Sequence, residues 1–238
     1  MNTNTSTKNT STKKRVAIVT GASSGMGLGI TQALLEHGYR VVANSRNISK
    51  SKDMKPSSDL ILVDGDISKM DSAIKVADAA IKHFDYIDLL ANCAGIYIPK
   101  PFTDYTQADF ELMIGTNVAG YFFITQRVVA QMRKQKSGHI VGISTVLVDQ
   151  PLAGATITLQ VVTKSTIPAF HRALAMEFAA DGIRANTISP SVVDTPMHVK
   201  DDYEILMICA PVPNFAAVAS TLLISHLLLS IHLSPSGI

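Results

Sequence analysis

The sequence predicts an α/β fold: a doubly wound parallel sheet covered by helices on both faces, three layers deep. Two observations carry this. From Arg15 onward short β-branched runs alternate with longer stretches of helical period, and a glycine-rich turn, Gly21 to Gly27, joins the first run to the first helical stretch. Strands are expected in order at RVAIVT (15–20), RVVAN (40–44), LILVDG (60–65), IDLLA (87–91), HIVGIS (139–144) and RANTIS (184–189). The helix after the first strand closes at His37-Gly38. Between the third and fourth strands Met70, Ile74, Ala77, Ile81 and Phe84 recur at spacings of three and four, one apolar stripe on a helix, with Ser68 and Asp71 as its cap. Thr106 and Asp109 repeat that cap signal ahead of a helix holding Met113 and Asn117. Pro168 lacks an amide hydrogen and crowds the preceding turn, so the helix around Lys164 is expected to kink or break there. No Pro/Gly/Ser linker interrupts the alternation, which makes residues 15–238 one expected domain, and no repeat of solenoid period is visible.

The composition excludes several classes. With 238 residues, 47% of them hydrophobic and 17% charged, the chain suits one large core and is not disordered in bulk. Four of the 21 Lys+Arg, namely Lys8, Lys13, Lys14 and Arg15, lie in the first 15 residues with no acid among them, so the rest of the chain is outnumbered by the 19 Asp+Glu. A nucleic-acid binder is expected to carry a basic face on its folded part, so the slight acid excess there argues against nucleic acid as a partner. The polar, low-complexity segment 1–14 is expected to be disordered and lacks the apolar run of a signal peptide. Cys93 and Cys209 form no CxxC pair, which fits a reducing cytoplasm. None of the seven histidines falls in a metal-ligand pattern, so no metal is expected. The apolar stretch 215–233 is nearly long enough to span a bilayer, but two histidines and three serines interrupt it; a buried or subunit-interface helix is expected there, not a membrane anchor.

Three glycines in a strand-to-helix turn, Gly21, Gly25 and Gly27, let the backbone approach a pyrophosphate, whose charge is met by free amides and the positive end of the helix. The same GASSG also matches the G-x-S-x-G elbow of a hydrolase, which would make Ser23 a nucleophile. That elbow sits deep in an established sheet, whereas a single strand precedes this one. The TGxxxGxG form at Thr20 to Gly27, followed by Asn92-Cys93-Ala94-Gly95 after the fourth strand, resembles the short-chain dehydrogenase/reductase family. Asp66 in GDI, Asn117, Lys164 and Ser189-Pro190-Ser191 with Thr195-Pro196-Met197 complete the family's order, over roughly residues 14 to 198. The resemblance implies a Rossmann-type fold, commonly homo-oligomeric, that moves a hydride between a nicotinamide dinucleotide and a small carbonyl or alcohol. It implies a cofactor held at Gly21, Ser23, Ser24, Gly25, Met26 and Gly27. Further contacts would come from Asp66 and Ile67 near the adenine, from Asn92, Ala94 and Gly95, from Lys164 on the ribose, and from Pro190, Val193 and Thr195 around the carboxamide.

NAD-specific members typically carry an acid at the end of the second strand. Asn44-Ser45-Arg46 stands there instead, a hydroxyl and a guanidinium suited to a 2′-phosphate, which favours NADP(H) over NAD(H). The family's catalytic tyrosine lies four residues before the lysine, on the same helix face, but that position is Gln160. An amide has no proton of matched pKa to exchange. The substrate-orienting serine corresponds to Thr145, with Ser144 just before it, and Asn117 would hold a proton-relay water. Ser191 replaces a glycine, and no seventh strand is visible ahead of Ser234 to Ile238, so the usual last strand is expected to be missing. Tyr97 reads first as a packing aromatic, although it and Tyr203 are the candidate substitutes for the proton donor; Cys93 reads as a small buried filler, and His198 as a lone histidine near the substrate. The resemblance thus implies an oxidoreductase of weakened catalysis or, in a different class, a non-catalytic dinucleotide sensor or assembly subunit.

Overall fold

A computed structural model of the protein describes residues 13–191, 193 and 195–197. Its sheet holds β1 (Val16–Thr20), β2 (Arg40–Ser45), β3 (Leu60–Asp64), β4 (Leu89–Asn92), β5 (Gly138–Ile143) and β6 (Ile183–Ile188), each on one of the runs read from the sequence. They are parallel, in the order β3-β2-β1-β4-β5-β6. β1, buried along its whole length, is central, with Ala17 registered against Val41 on one side and Leu89 on the other. Such continuous apolar runs are what a parallel sheet buried on both faces requires. The chain winds outward to β3, then returns to place β4 beside β1. That reversal opens a crevice at the carboxyl ends of β1 and β4, where ligands of such sheets bind.

α1 (Gly25–Glu36) covers one face, packing Ile30 and Leu34 onto Ala17, Val19 and Val41. α2 (Met70–Phe84) and α4 (Tyr121–Gln135) cover the other, with Val76, Ala80, Val128 and Met132 against Ile18, Leu90 and Ile140. The buried stripe of α2 centres on Ala73, Val76, Ala77, Ala80 and Phe84, one position round from the expected one, and leaves Met70 exposed. Its cap also differs: Lys69 occupies the N-cap without a side-chain bond, and the Ser68 amide donates to Asp66 Oδ1 at 3.0 Å. Asp66 closes that turn before Ser68 can act.

α3 (Gln107–Ile114) starts on a complete capping box between Thr106 and Asp109. It passes through a π-helical turn, Gly115–Gly120, directly into α4. α5 (Thr158–Glu177) runs without interruption past Pro168, contrary to the expected break. The tail before residue 13, Tyr203, His198, Cys209, the stretch 215–233 and the question of a last strand lie outside the described residues. Among the described residues no helix is long and apolar enough to cross a membrane.

Candidate functional site: a dinucleotide cradle and an adjoining cavity

The turn after β1 is shaped by its glycines. Gly21 has φ +64°, and a Cβ there would sit 2.8 Å from the backbone of Ala94; any side chain would push β4 away from the turn. At Gly27 a Cβ would meet the Gly21 carbonyl, so α1 can start close against the strand end. The Ala22 amide donates to the Asn44 carbonyl at 3.0 Å, tying the turn to β2. Ser24 is the N-cap of α1 and makes no side-chain cap bond, so its hydroxyl is not engaged in closing the helix.

Around this turn lies a cavity of about 240 Å³. The Gly21–Gly27 turn forms its floor, Ser45 and Arg46 one rim, Asp66 and Ile67 the next, and Ala94, Gly95 and Thr195 the opposite wall. Arg46 is exposed at that rim. Asp64, the last residue of β3, is engaged by the Ser49 hydroxyl and amide, which hold its carboxyl below the usual range. A glycine floor at a helix start is a donor set for the pyrophosphate of a dinucleotide, and the residues present fit one.

A second cavity of about 390 Å³ adjoins the first, sharing Met26, Cys93, Thr195 and Met197. It brings together Tyr97, Ser144, Thr145, Gln160 and Lys164 under an apolar wall including Leu147 and Ile157, with Pro190 and Val193 at its side. Lys164 is buried, and burial lowers its ammonium to about 8. Its Nζ donates to the Ile143 carbonyl at 2.7 Å. Burial pushes the thiol of Cys93, on the wall the two cavities share, up to about 12, which favours the thiol over the thiolate at neutral pH. Thr145 Oγ1 accepts from the Leu147 amide at 3.3 Å, which fixes the hydroxyl at the cavity wall. Gln160 Oε1 is buried with no hydrogen-bond partner, an orphaned acceptor inside the cavity lining.

Three expected residues are placed differently. Asn117, on the π-helical turn, accepts from the Ile96 amide at 2.8 Å and donates to the Ile96 carbonyl and to Thr163 Oγ1 at 3.0 and 3.1 Å. Both amide hydrogens are used, and the side chain pins the strand-end loop rather than lining either cavity. Asn92 is likewise internal, accepting from Thr20 Oγ1 at 2.5 Å and donating to the Tyr121 carbonyl at 3.4 Å. The Ser144 hydroxyl donates to the Lys164 carbonyl at 3.0 Å, so its hydrogen is committed to the helix and not to a substrate. Residues that the sequence reading missed are Leu112, Thr116, Leu147 and Ile157. Asn44, read only for lacking a charge, donates to the carbonyls of Val63 and Gly65 at 2.9 and 3.2 Å, while its buried Oδ1 is unpaired. No local signal marks these, since their role comes from elements far apart in sequence. Among the described residues no cluster could hold a metal ion.

Comparison with known proteins bears directly on this arrangement. The family model for short chain dehydrogenase matches residues 15–204. The chain is 32% identical over 193 residues to an uncharacterized oxidoreductase of Staphylococcus epidermidis, covering 80% of this chain and 83% of that one. To an uncharacterized oxidoreductase of Staphylococcus haemolyticus it is 31% identical over 193 residues, covering 79% and 82%. Among solved structures it is similar to a 3-ketoacyl-(acyl-carrier-protein) reductase from Brucella melitensis complexed with NADH, at 25% identity and a TM-score of 0.74 over 78% of this chain and 79% of that one. The protein belongs to the short-chain dehydrogenase family. It is accordingly an oxidoreductase of a class that binds nicotinamide dinucleotides.

Proposed function

We propose that the protein is an NADP(H)-dependent oxidoreductase acting on a small carbonyl or alcohol, with proton transfer weakened by Gln160. The observation that carries this reading is the continuity of the two cavities: the glycine turn and Arg46 lie in one, Lys164 and Thr145 in the other, and Met26, Cys93, Thr195 and Met197 join them. A bound nicotinamide supplies or accepts the hydride. Lys164, cationic at neutral pH, would hold the ribose hydroxyls. The Thr145 hydroxyl, its oxygen fixed by the Leu147 amide, donates its hydrogen to the substrate oxygen. The apolar wall excludes water around the reacting carbon. Gln160 hydrogen-bonds the substrate oxygen without exchanging a proton, and the Tyr97 phenol in the same cavity supplies or removes that proton. Arg46 and Ser45 hold the 2′-phosphate, Asp66 and Ile67 flank the adenine, and Pro190, Val193 and Thr195 hold the carboxamide. The cytoplasm is the compartment this chemistry suits, and the exposed Phe122, Val162 and Met176 on α4 and α5 offer apolar surface for a homo-oligomer.

Titration with NADPH and NADH tests the cofactor half: preference for NADPH supports it, and equal or reversed affinities overturn the role of Arg46. A carbonyl panel tests the chemistry. A second reading, a dinucleotide-binding protein without turnover, is favoured by Gln160 in the lining of the second cavity, whose amide has no proton of matched pKa to exchange. Turnover that Tyr97→Phe abolishes supports the enzyme; tight binding without turnover on any carbonyl supports the sensor.

A further inference from the structure

Two consecutive residues at the end of β5 hold Lys164 at both ends. Its Nζ donates to the Ile143 carbonyl at 2.7 Å, and its own carbonyl accepts from Ser144 Oγ at 3.0 Å. Ile143, Ser144 and Lys164 are all buried. The second bond has its origin four residues further along α5. In an α-helix the carbonyl of residue 164 accepts the amide of residue 168, but residue 168 is proline, which has no amide hydrogen and whose ring crowds that carbonyl. A buried carbonyl without a donor is costly. The missing donor comes from Ser144, which is fixed in its turn by its amide, donating to the Ile188 carbonyl of β6 at 2.8 Å.

We propose that Ser144 and Pro168 form a positioning pair that locks Lys164 against the end of β5. Pro168 frees the lysine's carbonyl toward the strand and Ser144 captures it, so the helix stands at the height from which Nζ reaches both the Ile143 carbonyl and the cavity. Ser144 therefore serves the site through Lys164, and Thr145 is left as the hydroxyl that meets substrate. The pair is specific in a testable way, because an amide restored at position 168 makes the serine hydroxyl redundant.

The consequence for the cofactor rests on the proposed contact between Lys164 and the ribose, so two readouts are needed. One is NADPH affinity; the other is the titration of the Lys164 ammonium in the cofactor-free protein, followed by NMR of lysine labelled at Nζ, with Cys93 as the titratable neighbour. Ser144→Ala is expected to weaken NADPH binding by about fivefold or more and to raise the ammonium's midpoint toward the ordinary lysine value. Adding Pro168→Ala is expected to return both to near the wild-type values, with Pro168→Ala alone completing the cycle. Additive effects in the double variant, or no change in Ser144→Ala, overturn the pair. Should the wild type bind no NADPH while the lysine titration shows loss and rescue, the cofactor reading fails and the pair stands. Should Ser144→Ala not fold, thermal unfolding becomes the readout: recovery in the double variant supports the pair and no recovery overturns it.

Discussion

Burial lowers the Lys164 ammonium to about 8, within reach of ordinary assay conditions. Below that value the group is cationic, as the proposed contact with a ribose hydroxyl requires; above it the charge is lost while the group stays buried. NADPH affinity is therefore expected to fall as pH rises through about 8, and Lys164→Met to weaken binding and flatten that step, as titrations between pH 6.5 and 9.5 would read. A different pH dependence, or a step that survives in Lys164→Met, would assign the contact to another residue. At Gln160 the expected change runs the other way. Once Tyr97→Phe has removed the proposed donor, Gln160→Tyr supplies an exchangeable proton beside Lys164, and turnover is expected to rise by about 10²- to 10⁴-fold, the usual worth of general acid-base catalysis. Steady-state rates on a carbonyl panel check it, and an unchanged rate would mean that the proton already travels by another route. Arg46→Ala is expected to weaken NADPH about tenfold while sparing NADH, the mark of a contact to the 2′-phosphate alone. Motif spacing makes Lys164, Gln160 and Arg46 legible in the sequence. The lysine's lowered titration is not, because it arises from burial against elements distant in sequence, among them the end of β5 at Ile143, more than 20 positions away along the chain.

Elements show the same division between local and distant causes. The capping box of α3 is written in four successive residues, Thr106 to Asp109, and forms as read. Lys100 Nζ adds a contact to Asp109 at 2.6 Å, and the three groups together hold that carboxyl down at about 2. Thr106→Ala is expected to destabilise the protein by about 1 kcal/mol, as a chemical denaturation curve would read. The loss matters to the site because α3 continues through the π-helical turn that carries Asn117 and so fixes Ile96 beside the cavity. The Ser68 and Asp71 pattern looks similar but fails, since Asp66 takes the Ser68 amide first. Pro168 misleads for the opposite reason: its effect on a helix depends on who satisfies the freed carbonyl, and Ser144 lies 20 residues upstream. The sequence alone cannot place that serine against that turn.

At the scale of the whole molecule, six apolar runs and a glycine turn are written locally, which is why the strands and the turn at the crevice are legible, whereas the second cavity is assembled from loops with no periodicity to read. Two buried histidines tie the late elements together in ways no pattern announces. His171 of α5 pairs with the Tyr121 hydroxyl of α4 at 2.5 Å and with Thr187 of β6 at 2.9 Å, and His139 of β5 pairs with Asn186 at 2.7 Å. Burial is the leading cause that lowers each from 6.5 to about 4. A histidine depressed in this way binds a proton more readily unfolded than folded. Its stabilising effect is thus complete above about 6.5 and is lost as pH falls from there toward 4. The shifts correspond to at most about 3 kcal/mol per histidine. Thermal unfolding between pH 7.5 and 4.5 is expected to show Tm level above 6.5 and falling steeply below it. His171→Gln, which keeps hydrogen-bonding groups but cannot take up the proton, should lower Tm at pH 7.5 and lessen the fall between 6.5 and 4.5. An undiminished fall would place the acid sensitivity at His139 rather than His171; Asp109 and Asp181, both held below their ordinary range by cationic neighbours, add their own loss only at still lower pH.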